Sequence, residues 1–480
     1  MPPSPVPTSG LALPAWIAHQ RDIAADALLR AISPIDMVCE RPGFGQRIVP
    51  ARGSILAARQ VAFYDPDPDY FFHWLRDSAV IVDALRCLLG DDTRRDEAGA
   101  KFADYLRFSL HLLALDGSRL AATGFRARVD RSVVQYLRPE AELREAAGER
   151  LLGETRFNPD GTLDILKWPR PQNDGPAMRA LALLRCRRTS LAREPEVHRL
   201  VYALVRADLH YTVDTRATPC FDIWEEELCD PYYARLVQHA ALLEGTAWAR
   251  ELGDADGGSR FEAAAHELEA ALTRQWSAGH GCYLSRAGVR TGGDQSKLLD
   301  MSTLLAVLHA GLPDGRHSVL DPRVHATWLQ LEQLFRAGYP INQDLPPGFG
   351  PAIGRYKGDV YYRGGAWYVT TLAIAELYYR LGSAVAQGAA LSATSENAAF
   401  LAGCGYLGGP QDGRLVQALL HNGDAFMATV RRFTPPDGAM SEQFDRETGV
   451  QRSARHLSWS YAAFVTAAQA RRRATEAHSG

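Results

Sequence analysis

The chain has 480 residues and a formal net charge of −3, and 46% of its residues are hydrophobic against 23% that are charged. This is the composition of an ordinary globular protein, and a chain of this length can bury a large core. The nearly balanced charge excludes a strong basic surface for nucleic acid or for an anionic membrane, and no apolar run is long enough to span a bilayer. We therefore expect neither nucleic acid nor a membrane among its partners.

Helical periodicity recurs from one end of the chain to the other, and no strand-rich region stands out. We expect a disordered tail over 1–14, followed by one domain over 15–475. Two Asp-Pro steps predict helix starts, one capped by Asp230 and the other by Asp321. The predicted helices are, in chain order, 15–32, 77–90, 97–115, 175–189, 194–212, 231–252, 259–276, 297–311, 321–337, 364–382, 412–431 and 458–473.

The predicted helices alternate in character along the chain. The odd-numbered ones are amphipathic, as in 259–276, whereas the even-numbered ones are apolar nearly all round, as in 364–382 and 458–470. A helix that is apolar on all sides is a buried helix. Twelve helices that alternate between exposed and buried predict six helical hairpins closed in a ring, with the even helices inside. The sequence therefore predicts an all-α fold, an (α/α)6 barrel, that uses nearly the whole chain.

The seven cysteines lie scattered along the sequence, and their number is odd. No two of them form a Cys-x-x-Cys pair and no histidines have metal-ligand spacing, so we expect neither a metal nor a cofactor. The N-terminal sequence MPPSPVPTSGLALP has no basic start and no long apolar core, unlike a secretory signal. These features predict reduced thiols and a cytoplasmic location.

Aromatic, acidic and arginine residues collect in the segments just before the even helices. In a ring of alternating helices the inner helices all point the same way, so these segments are expected to meet at one mouth of the barrel, on loops over a rigid scaffold. Flat aromatic rings cover the C–H faces of sugars, while carboxylates and guanidiniums bind their hydroxyls. This composition indicates a sugar-binding site. The segments are 68–78, 167–176, 221–231, 292–300, 354–367 and 437–459.

Glycoside hydrolysis needs two carboxyl groups in different environments, one that keeps a proton for the leaving oxygen and one that is ionised. The acids Glu225 to Glu227 follow Trp224 directly, and Glu442 lies in a polar loop. Each has a simpler explanation, since acids are favoured near a helix N-terminus, a loop acid is often merely solvated, and Asp77 could cap a helix. Singly these carboxylates do not identify a site, and only their shared position at one mouth favours catalysis.

At these segments the sequence resembles the glucoamylases, glycoside hydrolase family fifteen. The resemblance runs from about Gly53 to Phe464, in the family's order, with spacing most similar to that of the fungal-type catalytic domain. It implies an (α/α)6 barrel, in agreement with the hairpin count. The motifs that carry it are DYFFHWLRDS, RPQNDGPAMRA, FDIWEEE with VQHAALLEG, GRYKGDVYYRGGAWY and SEQFDRETGVQRSARHLSWSYAAF.

The resemblance also implies roles for individual residues. Glu225 falls on the general acid and Glu442 on the general base that activates water. Arg76 and Asp77 fall on residues that grip the glucose at the non-reducing end of the substrate. The other implied substrate-binding residues are Tyr70, Trp74, Trp168, Arg170, Trp224, Glu226, Arg355, Tyr361, Trp367 and Gln443.

On this resemblance we expect an inverting, exo-acting α-glucosidase that hydrolyses α-1,4-linked glucose from malto-oligosaccharides, starch or glycogen and releases β-glucose. The expected partner is thus an α-glucan, and a monomer is favoured. Departures from the family pattern at Pro169, Glu227 and Arg363 flank the leaving-group side. They leave open an α-1,6-glucosidase acting on isomalto-oligosaccharides or dextran. Cleavage of trehalose is a further, weaker alternative.

Two rival classes use the same type of barrel. One is a non-catalytic glucan-binding barrel with a regulatory role, like the related domain in the α subunits of phosphorylase kinase. The presence of both Glu225 and Glu442 speaks against it. The other is a phosphorylase or transferase, which requires an anion site in the mouth and shows phosphate dependence.

Overall fold

The structure is a computed structural model that describes residues 11–62, 66–290, 295–408 and 414–479. Within these ranges no helix is long and apolar enough to cross a bilayer. The helices are Leu13–Ala31, Leu75–Leu85, Arg95–Leu112, Gly117–Ala122, Glu140–Arg144, Asp174–Cys186, Pro195–Thr215, Tyr232–Glu251, Ala255–Thr273, Ser302–Ala310, Pro322–Gly338, Tyr368–Ala386, Ser395–Gly403, Arg414–Phe433 and Ser458–Ser479. The strands are Cys39–Arg41, Gln46–Ile48, His73–Trp74, Arg156–Phe157, Cys220–Phe221, Leu228–Pro231, Trp276–Ser277, Cys282–Tyr283, Arg286–Ala287, Ala366–Trp367, Gln443–Phe444 and Gln451–Arg452.

Every predicted helix has a counterpart in the structure, with ends that differ by a few residues. The shorter helices Gly117–Ala122, Glu140–Arg144 and Ser395–Gly403 were not predicted, because five to nine residues carry too little periodicity to be recognised. The short strands were not predicted either, since two to four residues show no alternation.

The predicted ends of the domain need correction. Residues 1–10 lie outside the described residues, but the first helix begins at Leu13, so the disordered tail was wrong for its last two positions. The last helix continues to Ser479, past the predicted end at 475. The segment 292–300 and the helix 412–431 begin on residues outside the described part of the chain. A single catalytic domain stays a prediction.

The two predicted Asp caps have different outcomes. Asp321 is confirmed, because its side chain accepts a hydrogen bond from the backbone N–H of Arg323 at 2.9 Å. Asp230 was wrong, since the helix begins only at Tyr232 and Asp230 belongs to the preceding strand. Its carboxylate pairs instead with Arg235 at 2.7 Å. An Asp-Pro step therefore marks a helix start only where no strand competes for the aspartate.

The chain divides into two compact units. The first comprises Met1–Ala27, Ala271–Ala287 and Asp294–Gly480, and the second comprises Leu28–Ala270 and Gly288–Gly293. Each unit contains three of the helices that the hydropathy pattern predicts to be buried.

In the second unit the helix Asp174–Cys186 packs against Leu75–Leu85 and Tyr232–Glu251, which are the other two helices predicted to be buried. It also packs against the amphipathic helix Pro195–Thr215. All of its residues except Arg185 are buried. The alternation of buried and amphipathic helices is therefore real in this unit.

The first unit repeats this arrangement. The helix Tyr368–Ala386 packs against Ser302–Ala310 and Ser458–Ser479, again the neighbours predicted to be buried, and against the amphipathic helix Arg414–Phe433. Its buried residues run almost without interruption from Tyr368 to Gly382. Most side chains of a helix buried on all sides are apolar, which is why hydropathy predicts it well.

A buried ion pair joins two helices of the second unit. Arg179 donates from Nε and Nη2 to the two carboxylate oxygens of Asp208 at 2.8 and 2.7 Å, and the two side chains are 1% and 0% exposed. Burial raises the pKa of Asp208, although the charge of Arg179 opposes the rise. Removing one partner of such a pair leaves an uncompensated buried charge.

We expect Asp208→Asn to lower the free energy of unfolding by about 3–5 kcal/mol, because Arg179 then lacks its counter-charge. Urea unfolding followed by circular dichroism measures this loss. The matched control is Glu267→Gln, which breaks the exposed pair with Arg216 in the same unit and should leave the midpoint unchanged. Equal midpoints for the two variants would contradict the prediction.

Two-residue strands precede two of the buried helices. Trp74 lies opposite Arg156 in one antiparallel pairing, and Trp367 lies opposite Gln443 in another. The helix begins directly after the tryptophan in both cases. These pairings attach distant segments to the start of a helix, so they position side chains that the sequence places far apart.

Candidate active site

Glu225 lies in the loop of a hairpin whose two short strands are paired antiparallel. The Asp222 carboxylate accepts the backbone N–H groups of Glu226 and Glu227 at 2.8 and 3.4 Å. The backbone of Asp222 donates to the Glu227 carbonyl at 3.0 Å and accepts from the Glu225 N–H at 2.9 Å. The loop is thus closed on itself around Asp222.

This loop holds Glu225 at φ 66°, in the left-handed region that residues other than glycine rarely adopt. Such a conformation costs about 1–3 kcal/mol and persists only where the surroundings impose it. Strain of this kind concentrates at functional sites, so the backbone singles out Glu225 among its acidic neighbours.

The carboxylate of Glu225 receives two indole N–H groups. Trp74 donates from Nε1 to Oε1 at 2.7 Å, and Trp168 donates from Nε1 to Oε2. The two indoles meet edge to face with ring centres 6.0 Å apart, and Tyr70 packs edge-on against Trp74 at 5.3 Å. Both oxygens of Glu225 are therefore fixed beside an aromatic surface.

The guanidinium of Arg76 joins three carboxyl groups. It donates from Nη2 to Glu225 Oε1 at 3.3 Å and to Asp77 Oδ2 at 3.2 Å, and its Nη1 lies 3.5 Å from Asp174 Oδ2. Nη1 also donates to Gln172 Oε1 at 2.9 Å. Arg76 and Asp77 are in the first turn of their helix, and Asp174 is the first residue of another. Two helix starts thus bring their polar residues to Glu225.

Three carboxyls around one guanidinium carry more negative charge than it neutralises. Burial raises the pKa of Asp77 to about 6; the charges of Glu225 and Asp174 add to the rise and Arg76 opposes it. Burial raises the pKa of Asp174 for the same reason. Burial lowers the pKa of Arg76, but the carboxylates outweigh it and the net shift is upward, so Arg76 stays charged. The protonated form of Asp77 is therefore favoured up to about pH 6.

Two other predicted residues lie in the same hairpin loop as Glu225. Trp224 is half-buried and Glu226 is exposed. The neighbouring Glu227, which departs from the family pattern, is 6% exposed. The loop therefore turns Glu226 outward and Glu227 inward.

The guanidinium of Arg170 forms hydrogen bonds within the protein. Its Nε donates to Glu154 at 2.7 Å and its Nη2 to Asp164 at 3.1 Å, while Nη1 donates to the carbonyls of Leu166 and Trp168 at 3.3 and 3.1 Å. Its side chain is 8% exposed. All three nitrogens are directed at protein acceptors, so Arg170 supports the segment that carries Trp168. A contact of Arg170 with substrate stays a prediction.

In the first unit, Glu442 directly precedes the strand that contains Gln443. It is 3% exposed, its N–H donates to the Ala454 carbonyl at 2.8 Å, and its carbonyl accepts from Tyr368 N at 3.3 Å. The hydroxyl of Ser453 donates to Oε2 of Glu442. Ser453 is itself left-handed, with φ 63°. Glu442 is therefore a buried carboxylate that is held through both its backbone and its side chain.

Arg355 and two aromatic rings form a second cluster in this unit. Arg355 binds both carboxylate oxygens of Asp359, at 2.8 and 2.6 Å, and its side chain is 3% exposed. Its guanidinium carbon lies 5.2 Å from the ring centre of Tyr361 and 5.3 Å from that of Trp367. The cluster thus combines a fixed cation with aromatic faces, the combination expected for a sugar-binding surface.

The connection between these two aromatic residues has an unusual backbone. Tyr362, Arg363 and Gly364 are all left-handed, with φ 44°, 71° and 62°. A Cβ on Gly364 would lie 1.9 Å from a backbone oxygen, so only glycine fits there. Gln443 closes the connection by accepting the Gly365 N–H at 3.1 Å. The Arg-Gly-Gly departure from the family pattern therefore lies in a tightly shaped turn.

The structure thus brings the predicted residues together in two sets, one in each unit. The set in the second unit consists of Tyr70, Trp74, Arg76, Asp77, Trp168, Trp224, Glu225 and Glu226. The set in the first unit consists of Arg355, Tyr361, Trp367, Glu442 and Gln443.

Sequence reasoning missed residues that hold these sets in place, among them Gln172, Asp222, Asp359, Ser453 and Arg156. The pair of Arg355 and Asp359 lies in a turn, where the helical rule for residues four apart does not apply. The other contacts have no spacing signal either, because each depends on how the chain turns back.

A family model described as glycosyl hydrolases family 15 matches residues 45–469. The chain belongs to this family. It is 29% identical to glucoamylase 1 of Rhizopus oryzae, over 98% of this chain and 73% of that protein. It is also 29% identical to the probable glucoamylase of Schizosaccharomyces pombe, over 94% of this chain and 90% of that protein. The family and these relatives make it a glycoside hydrolase of the glucoamylase type, which hydrolyses glucans.

Solved structures in the family have the same fold. The glucoamylase of Hypocrea jecorina matches with a TM-score of 0.78 and 26% identity, over 96% of this chain and 72% of that one. The glucoamylase of Saccharomycopsis fibuligera matches with a TM-score of 0.78 and 22% identity, over 97% and 96%. The prediction of an all-α fold of the (α/α)6 barrel type is thereby confirmed.

Proposed function

We propose that this family 15 protein is an inverting, exo-acting α-glucosidase that releases β-glucose from the non-reducing ends of α-1,4-linked glucans. In this proposal Glu225 is the general acid and Glu442 the general base. The observation that carries it is the setting of Glu225, whose strained backbone presents both carboxyl oxygens to indole N–H groups and to Arg76. Such over-determined placement fixes the Glu225 carboxyl in one orientation, which general acid catalysis requires.

The chemistry follows from two carboxyls in different settings. Glu225 gives its proton to the glycosidic oxygen as the bond from that oxygen to C1 breaks. Glu442 takes a proton from a water molecule as the water oxygen bonds to C1 from the opposite face, which inverts the configuration. The positive charge that develops on the sugar is stabilised by the carboxylates around Arg76. One molecule of water is consumed for each glycosidic bond that breaks. At the end Glu225 has lost its proton and Glu442 has gained one.

The remaining residues supply binding. Asp77 and Arg76 offer charged hydrogen-bonding groups to the hydroxyls of the terminal glucose, and Arg355 offers a fixed cation. Tyr70 and Trp168 offer flat apolar faces to the C–H faces of the ring. An α-glucan is therefore the proposed partner.

Time-resolved proton NMR of the protein with maltose and isomaltose in one tube tests the proposal. We expect the anomeric signal of maltose to disappear and β-glucose to appear first, before mutarotation. First appearance of α-glucose would overturn the inverting mechanism. Absence of turnover on both sugars would favour the binding-protein class, and dependence of turnover on added phosphate would favour a phosphorylase.

The rate at which isomaltose is consumed in the same experiment shows which linkage the enzyme prefers. Glu227 is buried beside the proposed acid and Arg363 occupies a left-handed turn, and both depart from the family pattern on the leaving-group side. Faster loss of isomaltose than of maltose, with β-glucose as the first product, keeps the mechanism and changes the activity to an α-1,6-glucosidase.

Removing the hydroxyl of Ser453 tests the role of Glu442. A hydrogen bond donated to a carboxylate favours its charged form, so Ser453→Ala makes protonation of Glu442 easier. We expect the acid limb of the kcat/KM profile to move to higher pH by about half a unit or more, with the basic limb unchanged. Ser460→Ala removes another buried hydroxyl, which donates to the Ser441 carbonyl, and is the matched control. A profile identical to that of Ser460→Ala would contradict the role of Glu442 as the base.

We also propose that the protein works in the cytoplasm. All seven cysteines carry free thiols, and six of them are buried. Burial raises the pKa of Cys186 and raises that of Cys220 to about 12, so these thiols resist oxidation. Free thiols throughout are typical of a reducing compartment.

A further inference from the structure

A buried cation lies behind the two indoles that hold Glu225. Arg156 is 0% exposed and stands opposite Trp74 in an antiparallel pairing. Its guanidinium carbon is 3.5 Å from the ring centre of Trp168, 5.0 Å from that of Trp74 and 4.0 Å from that of Phe72. Cation–π contacts are strongest where water is excluded, as it is here.

Arg156 is held in this place by a buried ionic network. Its Nε donates to Asp164 at 2.8 Å, and the same oxygen receives Nη2 of Arg170 at 3.1 Å. Arg138 and Arg170 both pair with Glu154. Burial raises the pKa of Asp164, but the two arginines that contact it outweigh burial and the net shift is downward. Arg138 pairs with Glu142 as well, at 3.1 Å, so the described network sets three guanidiniums against three carboxylates. Within it, the guanidinium of Arg156 is the charge that lies against the indole rings.

We propose that Arg156 is a positioning residue that tunes the general acid through Trp74 and Trp168. A cation on the π face draws electron density from an indole ring and makes its N–H a stronger hydrogen-bond donor. Stronger donors stabilise the ionised form of Glu225, so Arg156 sets the pH above which Glu225 has lost its proton. The inference rests on the proposed role of Glu225 as the acid.

The chain offers a matched control for Arg156. Arg41 forms an equally buried ion pair, with Asp69 at 2.7 Å, and both side chains are 3% exposed. Its guanidinium carbon lies 4.1 Å from the ring centre of Phe72, the same ring that Arg156 contacts. Replacing Arg41 therefore removes a buried Arg–Asp pair and a cation–π contact, but not the contact with the indoles.

The test compares Arg156→Met, Arg156→Lys and Arg41→Met in pH profiles of kcat/KM on maltose. Without the cation Glu225 keeps its proton to higher pH, so the basic limb should move upward by about half a unit or more in Arg156→Met. In Arg156→Lys, which keeps the charge but loses the planar stack, the shift should be smaller. In Arg41→Met the limb should not move. Should Arg156→Met fail to fold, Arg156→Lys against Arg41→Lys makes the same comparison.

A second readout does not depend on activity. The indole N–H resonances of Trp74 and Trp168, identified with Trp→Phe variants, should move upfield in Arg156→Met as their hydrogen bonds to Glu225 weaken. They should stay in place in Arg41→Met. Unchanged indole resonances, or the same pH profile in Arg156→Met and Arg41→Met, would overturn the inference. Full activity of Glu225→Gln would instead refute the proposed function, and the indole resonances would still report whether Arg156 acts on the hydrogen bonds.

Discussion

Glu225→Gln should lower kcat on maltose by about three orders of magnitude or more, because a carboxamide cannot give up a proton to the glycosidic oxygen. The amide nitrogen also faces one of the two indole N–H groups that Glu225 now accepts, which removes one favourable hydrogen bond. Steady-state kinetics measures the loss, and circular dichroism checks that the fold is retained.

The control is a second carboxyl in a similar setting. Glu332 accepts hydrogen bonds from Trp328 Nε1 at 2.5 Å and from the Tyr378 hydroxyl at 2.8 Å, and burial raises its pKa to about 7. It was not predicted as a site residue. Glu332→Gln should therefore keep kcat within about threefold of the wild type. An equal loss in both variants would mean that Glu225 is structural.

A second substrate shows whether Glu225 acts as the general acid or only in binding. Fluoride leaves a sugar without needing a proton, so α-glucosyl fluoride bypasses the general acid. The factor by which Glu225→Gln lowers activity should be at least about tenfold smaller on the fluoride than on maltose. A loss of the same size on both substrates would assign Glu225 to binding and not to proton transfer.

Glu442→Gln should lose about three orders of magnitude in kcat on maltose and on α-glucosyl fluoride alike, because both reactions need an activated water. This equal loss distinguishes the base from the acid. The residue is 3% exposed, and its buried setting beside Ser453 makes thermal unfolding a necessary check of each variant. A Glu442→Gln enzyme that is nearly as active as the wild type would refute the assignment.

Rescue by an external nucleophile sharpens this prediction. Glu442→Ala opens space at the carboxylate, and azide attacks C1 without having to lose a proton. We expect azide to restore turnover of α-glucosyl fluoride in Glu442→Ala and to give β-glucosyl azide, the inverted product. Azide should not restore turnover of maltose in Glu225→Gln, which lacks the acid. An α-configured azide product would contradict attack from the face opposite the leaving group.

The helical framework was predictable because it depends on short-range pattern. A helix buried on all sides is mostly apolar, so Tyr368–Ala386 and Asp174–Cys186 are visible in the hydropathy of the sequence alone. The two-residue strands were not visible, since they are held by partners far away in the chain, such as Arg156 opposite Trp74. The aspartate of an Asp-Pro step illustrates the limit, because a competing strand displaced the predicted cap at Asp230.

The residue types of the site were also predictable, but not what each residue does. Trp74 and Glu225 stand in family motifs and Trp168 lies two residues before another, and the structure joins all three by direct hydrogen bonds. Arg170 begins the motif that follows Trp168, and its guanidinium is bound to carboxylates of the protein. A motif records which residue is present, whereas the direction of its side chain depends on which acceptors the fold places around it.

The sequence by itself determined the helical alternation, the aromatic and acidic segments before the buried helices, and the family. Those features are encoded in residue types and local spacing, which survive without knowledge of contacts. Only the tertiary structure decided that Glu225 is left-handed, that three carboxyls share Arg76, that Ser453 reaches Glu442 and that Arg156 lies behind the indoles. The physical reason is that electrostatics and cation–π contacts depend on distances of a few ångströms, which pairing between distant segments creates and linear spacing does not contain.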